Sequence, residues 1–344
     1  MFDTKVLGRD EIEKLLKMED VIGAVESVYI EKANDETAVW PMVFYEFEPG
    51  VADMDIKSGW IKGENIFGLK LVSWFGANAK KNLPPLIGTL MIMDGETGAP
   101  LGFLDATQIT GIRTGAAGAL GAKYLARPDS KRLLLVGTGH VAAFQIAAML
   151  IIFPELEEIM VYDPMDFKNS EVFVDTLPGL LIDKFELDLP ENLKLTAVSN
   201  IIEATGNSDI IITVTPSRIP IIKKAWVRPG THFSCIGADM PGKEEIDPEI
   251  FKEARVFTDD TPQCCRVGEI EIPIAKGILK VENVAGEIGD IIIGKTVGRQ
   301  NKGQITVFDA TGTALLDLCT GKLALDKAKE LEAFHRPKNE KGEI

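Results

Sequence analysis

The sequence predicts an α/β protein, and three observations support this fold class. From about residue 131 to about residue 310, short apolar runs alternate with helical segments. One of these runs, Ile210–Thr215, is β-branched at every position, which suits a parallel strand buried on both faces. A glycine-rich turn, Gly137–Val141, follows the first run. About 130 residues of different character precede this turn, so the sequence predicts a second structural unit.

The N-terminal part begins with a helical pattern and continues with short strands. An apolar stripe at helical spacing predicts one helix from Arg9 through Lys32. Short runs broken by glycine and proline then predict an antiparallel or mixed sheet. Its predicted strands are Val43–Phe47, Ile66–Trp74, Thr89–Asp94 and Pro100–Leu104.

A helix rich in glycine and alanine is predicted over Thr107–Arg127, with Thr110 as its cap and Arg113 in its first turn. Each glycine inside a helix costs about 1 kcal/mol relative to alanine. Their recurrence therefore indicates close packing against another helix, a subunit or a ligand. These glycines are Gly111, Gly115, Gly118 and Gly121.

The rest of the chain alternates between strands and helices and ends in a helix over Ala314–Phe334. A helix over Asp247–Ala254 has Pro248 at its first position, where proline is tolerated. A shorter helix is predicted at Ile201–Thr205. The predicted strands are Leu133–Val136, Ile159–Tyr162, Leu193–Val198, Ile210–Thr215, Thr231–Ile236, Val256–Thr258 and Thr306–Phe308.

The glycine turn is typical of a dinucleotide-binding unit. Gly137 allows the tight turn, and Gly139 lets the backbone approach a pyrophosphate at a helix N-terminus. The next strand ends at Asp163, 24 residues after Gly139 (163 − 139), where an acid bonds the adenosine ribose and disfavours a 2′-phosphate. The pattern therefore favours NAD over NADP. The alternative is a tight turn that binds nothing.

Composition excludes several functional classes. The chain has 344 residues, and 37 basic against 52 acidic residues give a net charge of −15, which argues against nucleic acid or an anionic membrane as partner. No apolar run reaches the roughly 18 residues of a membrane span. The four cysteines lack metal-ligand spacing and suggest reduced thiols in a cytoplasmic protein, and we predict no metal site.

Four further segments could carry chemistry. Lys70 stands inside an apolar strand, where an ammonium group must point to solvent or serve a site. Arg113 lies among small residues, suited to a bidentate carboxylate contact or to a salt bridge. Asp239 follows a strand, where it could act as an acid and base or cap a turn. Thr311–Gly312 form another strand-to-helix turn, able to contact a nicotinamide or to cap a helix.

These segments together resemble the ornithine cyclodeaminase/mu-crystallin family, over about Ile66 to Asp317 and in the family's order. The matching motifs are Gly68–Val72, Asp94 with Thr97-Gly98, Arg113–Ala117, Gly137–Gly139, Gly237–Asp239 with Gly242-Lys243, and Thr311-Gly312 with Asp317.

The resemblance implies an NAD(P)(H)-dependent enzyme that acts at the α-carbon of an amino acid. It implies a Rossmann dinucleotide-binding domain, residues 128–313, inserted into an α+β substrate and dimerisation domain formed by residues 1–127 and 314–344. Lys70 and Arg113 would hold the substrate carboxylate, and Asp239 would act as acid and base, with Lys70 beside it. The expected cofactor-binding residues are Gly137, Thr138, Gly139, His140, Val141, Asp163, Thr215, Thr311 and Gly312.

The sequence departs from the family at one position. Many relatives carry an arginine near the position that aligns with Trp40–Met42, where it completes the carboxylate site. No arginine stands between Arg9 and Arg113 here, so Lys57 or Lys62 is the candidate replacement. Lysine does not reproduce the bidentate fork of arginine, which leaves the substrate open.

We therefore expect a cytoplasmic homodimer that uses NAD and an amino-acid or imine substrate. The predicted reaction is hydride transfer at the α-carbon through an imine, either as cyclodeamination of ornithine to proline with release of ammonia or as amino-acid dehydrogenation. One alternative is a ketimine or imine reductase. The other is a non-catalytic, NAD(P)H-gated ligand-binding protein like mu-crystallin.

Overall fold

The computed structural model describes residues 4–48 and 51–335 of the chain, so the outermost residues of the predicted terminal domain lie outside the described part. The strands and helices in chain order are β1 (Lys5–Leu7), α1 (Arg9–Leu15), α2 (Met18–Ala33), β2 (Thr37–Val39), β3 (Val43–Glu48), β4 (Ala52–Ile61), β5 (Ile66–Phe75), β6 (Leu86–Asp94), β7 (Pro100–Asp105), α3 (Ala106–Leu125), β8 (Arg132–Val136), α4 (Ala142–Ile152), β9 (Glu158–Tyr162), α5 (Phe167–Asp183), β10 (Lys194–Ala197), α6 (Ile201–Asn207), β11 (Ile210–Thr213), β12 (Arg218–Ile222), β13 (His232–Cys235), β14 (Glu244–Ile246), β15 (Arg255–Thr258), α7 (Thr261–Val267), α8 (Glu271–Ala275), α9 (Ile288–Ile292), β16 (Thr306–Asp309) and α10 (Ala314–His335).

The chain forms two compact units. The terminal unit consists of residues up to 17, residues 37–109 and the chain from 314 onward. The central unit consists of residues 18–36 and 110–313. It therefore includes two segments, 18–36 and 110–127, that were predicted to belong to the other domain.

The terminal unit is built on a seven-stranded sheet. Its order is β1-β7-β6-β5-β4-β2, with β3 also paired to β4, and every pair is antiparallel except β1 with β7. Helix α10 packs closely on one face because glycines of the sheet leave room for its side chains: a Cβ on Gly59 would lie 3.2 Å from Leu315, and one on Gly68 2.8 Å from Leu318. This close packing places the first turn of α10 directly over β4 and β5.

The central unit contains a parallel sheet of seven strands in the order β10-β9-β8-β11-β13-β16-β15. Numbered along this unit, the order is 3-2-1-4-5-7-6, so the direction of winding reverses between β8 and β11, as in Rossmann folds. Apolar side chains such as Leu134, Ile211, Phe233 and Val307 form its fully buried core. Ligands of such folds bind at the carboxyl edge near the reversal.

The glycines of α3 explain why most of this helix belongs to the central unit. A Cβ on Gly111 would lie 2.5 Å from the Phe144 ring of α4, and Cβ atoms on Gly115, Gly118 and Gly121 would overlap with Phe144, Gln145 and Phe308. The partners of the glycine stripe are therefore a helix and a strand of the same chain. Helix α2 is joined to the same unit by Lys32, which pairs with Asp260 at 3.1 Å and with Glu287.

Several local predictions were wrong. The helix predicted from Arg9 through Lys32 is two helices, because Leu16 adopts an extended backbone. Thr110 does not cap α3, which begins at Ala106; the Asp105 carboxylate accepts the Thr107 N–H at 2.9 Å instead, and Arg113 lies beyond the first turn.

The segment after Asp247 forms a short 3₁₀ helix, Pro248–Lys252, rather than an α-helix. Strand β4 was not predicted, and helix α5 was predicted only as a helix between two strands, without bounds. Polar and apolar residues alternate from Asp53 to Lys57 in β4, which is a strand pattern that the prediction missed. Helix α5 contains Pro178, which weakens its helical pattern.

Candidate dinucleotide and substrate site

The structure brings most of the predicted site residues of the central unit to one edge of its sheet. Strands β8, β11, β13 and β16 are consecutive neighbours and all parallel. Gly137 follows β8, Thr215 follows β11, Asp239 follows β13 and Thr311 follows β16. Since the carboxyl ends of parallel strands share one edge, these four residues lie along the region where ligands bind in such folds.

The glycine turn has the geometry of a phosphate cradle. Gly137 has a φ of +106°, a conformation that favours glycine, and a Cβ there would lie 2.9 Å from Thr215 Cγ2 and 3.1 Å from the Val214 carbonyl oxygen. A Cβ on Gly139, in contrast, would meet no protein atom within 4 Å. The protein itself therefore requires glycine at 137, whereas the open space at Gly139 fits the close approach of a ligand.

Asp163 stands beside this turn at the end of β9. Its Oδ2 accepts a hydrogen bond from the Thr138 hydroxyl at 2.5 Å, and its Oδ1 accepts from Met165 N–H at 3.0 Å and Asn169 Nδ2 at 3.2 Å. Partial burial opposes ionisation, but these hydrogen bonds outweigh it and lower the pKa of Asp163. The side chain is thus an ionised acceptor next to the cradle. Two further predicted residues of the turn, His140 and Val141, directly precede α4.

Two buried lysines face each other in the terminal unit. Lys57 on β4 and Lys70 on β5 are cross-strand partners, and their residues are only 6% and 2% exposed. Asp317, in the first turn of α10, lies with its Oδ2 at 2.9 Å from Lys70 Nζ. Lys62, the other candidate replacement for the missing arginine, is exposed. The structure therefore places Lys57, and not Lys62, beside Lys70.

Arg113 is buried in the central unit, where its guanidinium lies against the backbone of Gly312. Gly312 has a φ of +73°, and a Cβ there would overlap with Arg113 Nη1. The Asp259 carboxylate holds this turn, since it accepts the Gly312 N–H at 2.8 Å and the Thr311 N–H at 3.3 Å. Burial, and then the charge of Asp260, raises the pKa of Asp259.

Sequence reasoning missed Asp259. It directly follows a strand of the parallel sheet, as Asp163 does, and that position is the signal that could have identified it.

Asp239 lies on the loop that connects β13 to β14. Its side chain is 44% exposed, and Lys243 Nζ lies 2.5 Å from its Oδ1. Two fully buried acids that the sequence analysis did not single out, Glu245 and Glu269, border this loop. Asp239 is therefore an accessible carboxylate on a loop that is bordered by two buried acidic side chains.

Other classes of site find no support in the described part of the chain. Among residues 4–48 and 51–335, no group of three or more His, Cys, Asp or Glu side chains could hold a metal ion. No helix in those ranges is long and apolar enough to cross a membrane. Burial raises the pKa of the Cys235 and Cys264 thiols, so these cysteines are poor nucleophiles.

Comparison with known proteins agrees with this reading. A family model described as "Ornithine cyclodeaminase/mu-crystallin family" matches residues 2–332. The chain is 36% identical over 326 residues to an alanine dehydrogenase of Archaeoglobus fulgidus, with 95% of both chains covered.

Two solved structures are also similar. An archaeal alanine dehydrogenase dimer with bound NAD superposes with a TM-score of 0.87 at 35% identity, covering 96% of this chain and 97% of that one. The Thermococcus litoralis Δ(1)-pyrroline-2-carboxylate reductase, in complex with NADH and L-proline, also gives 0.87, at 31% identity and with 96% and 98% covered. The predicted fold class, with a Rossmann domain inserted into an α+β domain, is confirmed. This chain belongs to the ornithine cyclodeaminase/mu-crystallin family.

Proposed function

We propose that this protein is an NAD-dependent enzyme that transfers hydride at the α-carbon of an L-amino acid or of the corresponding imine. The observation that carries the proposal is the alignment of Gly137, Thr215, Asp239 and Thr311 behind four neighbouring parallel strands. A dinucleotide cradle and an accessible carboxylate therefore share one sheet edge. The two similar structures contain NAD or NADH, and one also contains an amino acid.

The glycine turn holds the dinucleotide in this proposal. Gly137, Thr138 and Gly139, with His140 and Val141, approach the pyrophosphate at the N-terminus of α4. Asp163 accepts hydrogen bonds from the adenosine ribose, and its charge disfavours the 2′-phosphate of NADP. The nicotinamide of the bound cofactor donates or accepts the hydride. Thr215, Thr311 and Gly312, farther along the same edge, contact the nicotinamide end.

Three basic residues bind the substrate carboxylate. Lys57 and Lys70 are two buried basic residues on one strand pair, and the Asp317 carboxylate contacts Lys70. A carboxylate that reaches this strand pair would accept charge-assisted hydrogen bonds from the buried ammonium groups. Arg113 offers the bidentate contact that a lysine lacks. Lys57 takes the place of the arginine that many relatives carry.

Asp239 holds and moves the proton of the reacting nitrogen. During oxidation its carboxylate accepts the proton that the α-amine loses, and during reduction it returns a proton to the nitrogen. Lys70 takes part in catalysis by orienting the substrate through its carboxylate. The Asp239 side chain is 44% exposed, which leaves it accessible to a substrate.

The two similar proteins are an alanine dehydrogenase and a Δ(1)-pyrroline-2-carboxylate reductase. Their names support dehydrogenation of an amino acid or reduction of an imine as the reaction proposed for this protein. Cyclodeamination of ornithine uses the same binding and proton-transfer groups and is the second candidate. The retained Asp239 speaks against a purely ligand-binding role, because a binding protein does not need that acid.

A homodimer is part of this proposal. The terminal unit exposes apolar side chains on and beside its sheet. The ring centroid of Phe47 lies 5.2 Å from that of Tyr45 and 5.6 Å from that of Phe75. Exposed apolar surface of this kind marks an interaction surface, and a second copy of the chain is the proposed occupant. The exposed residues are Trp40, Val43, Tyr45, Phe47, Phe75 and Ile87. Light scattering should give twice the mass of one chain.

The function is tested with the purified protein and two panels. NAD⁺ is supplied with L-amino acids, including alanine, proline and ornithine, and NADH is supplied with pyruvate plus ammonia or with Δ(1)-pyrroline-2-carboxylate. Absorbance at 340 nm and mass spectrometry follow the products. Turnover that Asp239→Asn lowers by about 100-fold or more, with NADH binding unchanged, supports the proposal. NADH binding without turnover on either panel would favour the binding protein.

A further inference from the structure

Glu245 makes contacts that the proposed chemistry does not use. Its side chain is fully buried, and Oε1 accepts hydrogen bonds from the N–H and the hydroxyl of Thr215 at 2.6 and 2.7 Å. Oε2 accepts from the Thr213 hydroxyl at 2.7 Å and from the Gly237 N–H at 2.9 Å. One carboxylate thus joins the chain that leaves β11 to the chain that leaves β13.

The backbone of Glu245 is held as well. Oε1 of Glu269 accepts the N–H groups of Glu245 and Ile246 at 2.8 and 2.7 Å. Burial, and then the charge of Glu245, raises the pKa of Glu269 well above its usual range. Burial raises the pKa of Glu245 as well, and its hydrogen bonds from Thr215, Thr213 and Gly237 oppose that rise. Because Glu245 has the larger number of donors, we assign the negative charge of this pair to Glu245 and the proton to Glu269.

The donors around Glu245 select a carboxylate over its neutral isostere. Oε1 faces the Thr215 N–H, and Oε2 faces the Gly237 N–H. A glutamine in either orientation would turn its amide NH₂ group toward one of these N–H groups, which cannot accept a hydrogen bond. Burying a charge is costly unless donors compensate it, so a residue needed only for packing would be apolar.

The loop that these contacts hold carries Asp239. At its start, Gly237 has no room for a side chain, because a Cβ would lie 2.6 Å from Glu245 Oε1 and would overlap with the Thr215 backbone. Asp239 follows two residues later, and its bond to Lys243 closes the loop upon itself. Glu245 stands just after the loop, so its carboxylate fixes both ends of the loop to the sheet edge.

We propose that Glu245 is a positioning residue that fixes Asp239 at the reacting nitrogen. This inference rests on the proposed function, because it takes Asp239 as the group that moves the proton. Reacting groups must be held closely, and a displacement of about 1 Å can lower the rate about 100-fold. Loss of the carboxylate therefore lowers kcat by a larger factor than it weakens dinucleotide binding, because the described contacts of Glu245 include neither the glycine turn nor Asp163.

The test compares Glu245→Gln with Glu244→Gln. Glu244 is the matched control, since it is also buried but contacts only the exposed Lys276, at 3.5 Å, in the described ion pairs. We expect Glu245→Gln to lower kcat at least tenfold and to raise the Kd for NADH by a smaller factor, with Glu244→Gln close to wild type in both. Wild-type kcat in Glu245→Gln overturns the inference.

A double mutant separates positioning from general damage. If Glu245 acts through Asp239, Glu245→Gln lowers the residual rate of Asp239→Asn by less than twofold. An equal loss on both backgrounds contradicts the inference. If Glu245→Gln does not fold, Thr213→Val replaces it, because this variant removes one of the four hydrogen bonds to Glu245. We expect Thr213→Val to lower kcat by a smaller factor, and to have no such effect when Asp239→Asn is already present. Wild-type kcat in Thr213→Val overturns the inference.

Hydrogen exchange distinguishes failure of this inference from failure of the proposed function. If the wild-type protein turns over no substrate of either panel, the proposed function fails. Hydrogen exchange alone then tests whether Glu245 holds the loop that carries Asp239. Peptides covering residues 236–243 should then exchange faster in Glu245→Gln than in Glu244→Gln. Equal exchange in the two variants would show that Glu245 does not hold the loop.

Discussion

Asp309→Asn should make the stability of the protein less sensitive to pH. Asp309 ends β16 and is fully buried; its Oδ2 accepts the Ile270 N–H at 3.0 Å, and its Oδ1 has no hydrogen-bond partner among the described residues. Burial raises its pKa to about 8 from 3.8. The native side chain is therefore protonated at neutral pH, and asparagine is a close isostere of that form.

The magnitude follows from proton linkage. Because the folded pKa is raised, the stabilising contribution of Asp309 is complete below pH 3.8 and is lost as the pH rises toward about 8. Between pH 5 and 7 the unfolded chain has lost this proton and the folded chain has kept it. Each pH unit in this window then removes about 1.4 kcal/mol, so the wild type loses about 2.7 kcal/mol relative to the variant.

Urea denaturation of both proteins at pH 5, 6 and 7 measures this difference. Asp175→Asn is the control, because Asp175 is exposed on α5 and stays hydrated in both states. Neighbouring Asp259 and Glu269 also have raised pKa values, but both proteins retain them, so the comparison with Asp309→Asn isolates the contribution of Asp309. A difference between wild type and Asp309→Asn that stays constant over these pH values would refute the reasoning.

Three further variants test the cofactor and substrate assignments. Asp163→Ala should weaken NADH binding about tenfold or more and should reduce the preference for NADH over NADPH, because it removes a charged acceptor. Fluorescence titration measures both affinities; equal affinities in variant and wild type would remove Asp163 from the site. Lys57→Met should raise the KM for the carboxylate substrate about tenfold, because it removes a charged hydrogen-bond donor, whereas Lys62→Met, at an exposed position, should leave KM unchanged. Similar KM values in both variants would argue against carboxylate binding by Lys57. Gly312→Ala should lower kcat/KM about 10- to 100-fold, because its Cβ displaces Arg113 and its φ of +73° is strained; activity equal to wild type would show that the turn can relax.

Much of the central unit could be predicted because its signals are local. Its core strands are continuous apolar runs, and the glycine turn between β8 and α4 follows a known physical requirement. The edge residues Gly137, Asp239 and Thr311 could then be placed together from strand order alone. Their roles stay predictions.

The remaining features depend on contacts that no local pattern encodes. The partner of Lys70 is Asp317, which is 247 positions away in the sequence (317 − 70), and the acid that holds Gly312 is Asp259. Likewise, Glu245 looks like any acid after a loop until four donors are seen around it. The cap of α3 was missed because Asp105 ends a strand and begins a helix at the same point.

The most direct test of the central claim is the transfer of a labelled hydride. The protein is incubated with [4-²H]NADH, prepared separately in each stereochemical form, and with the imine substrates of the panel. We predict that one form transfers deuterium to the α-carbon of the amino-acid product, as detected by mass spectrometry, and that Asp239→Asn strongly reduces this transfer. Tight NADH binding without deuterium in any product would contradict the account.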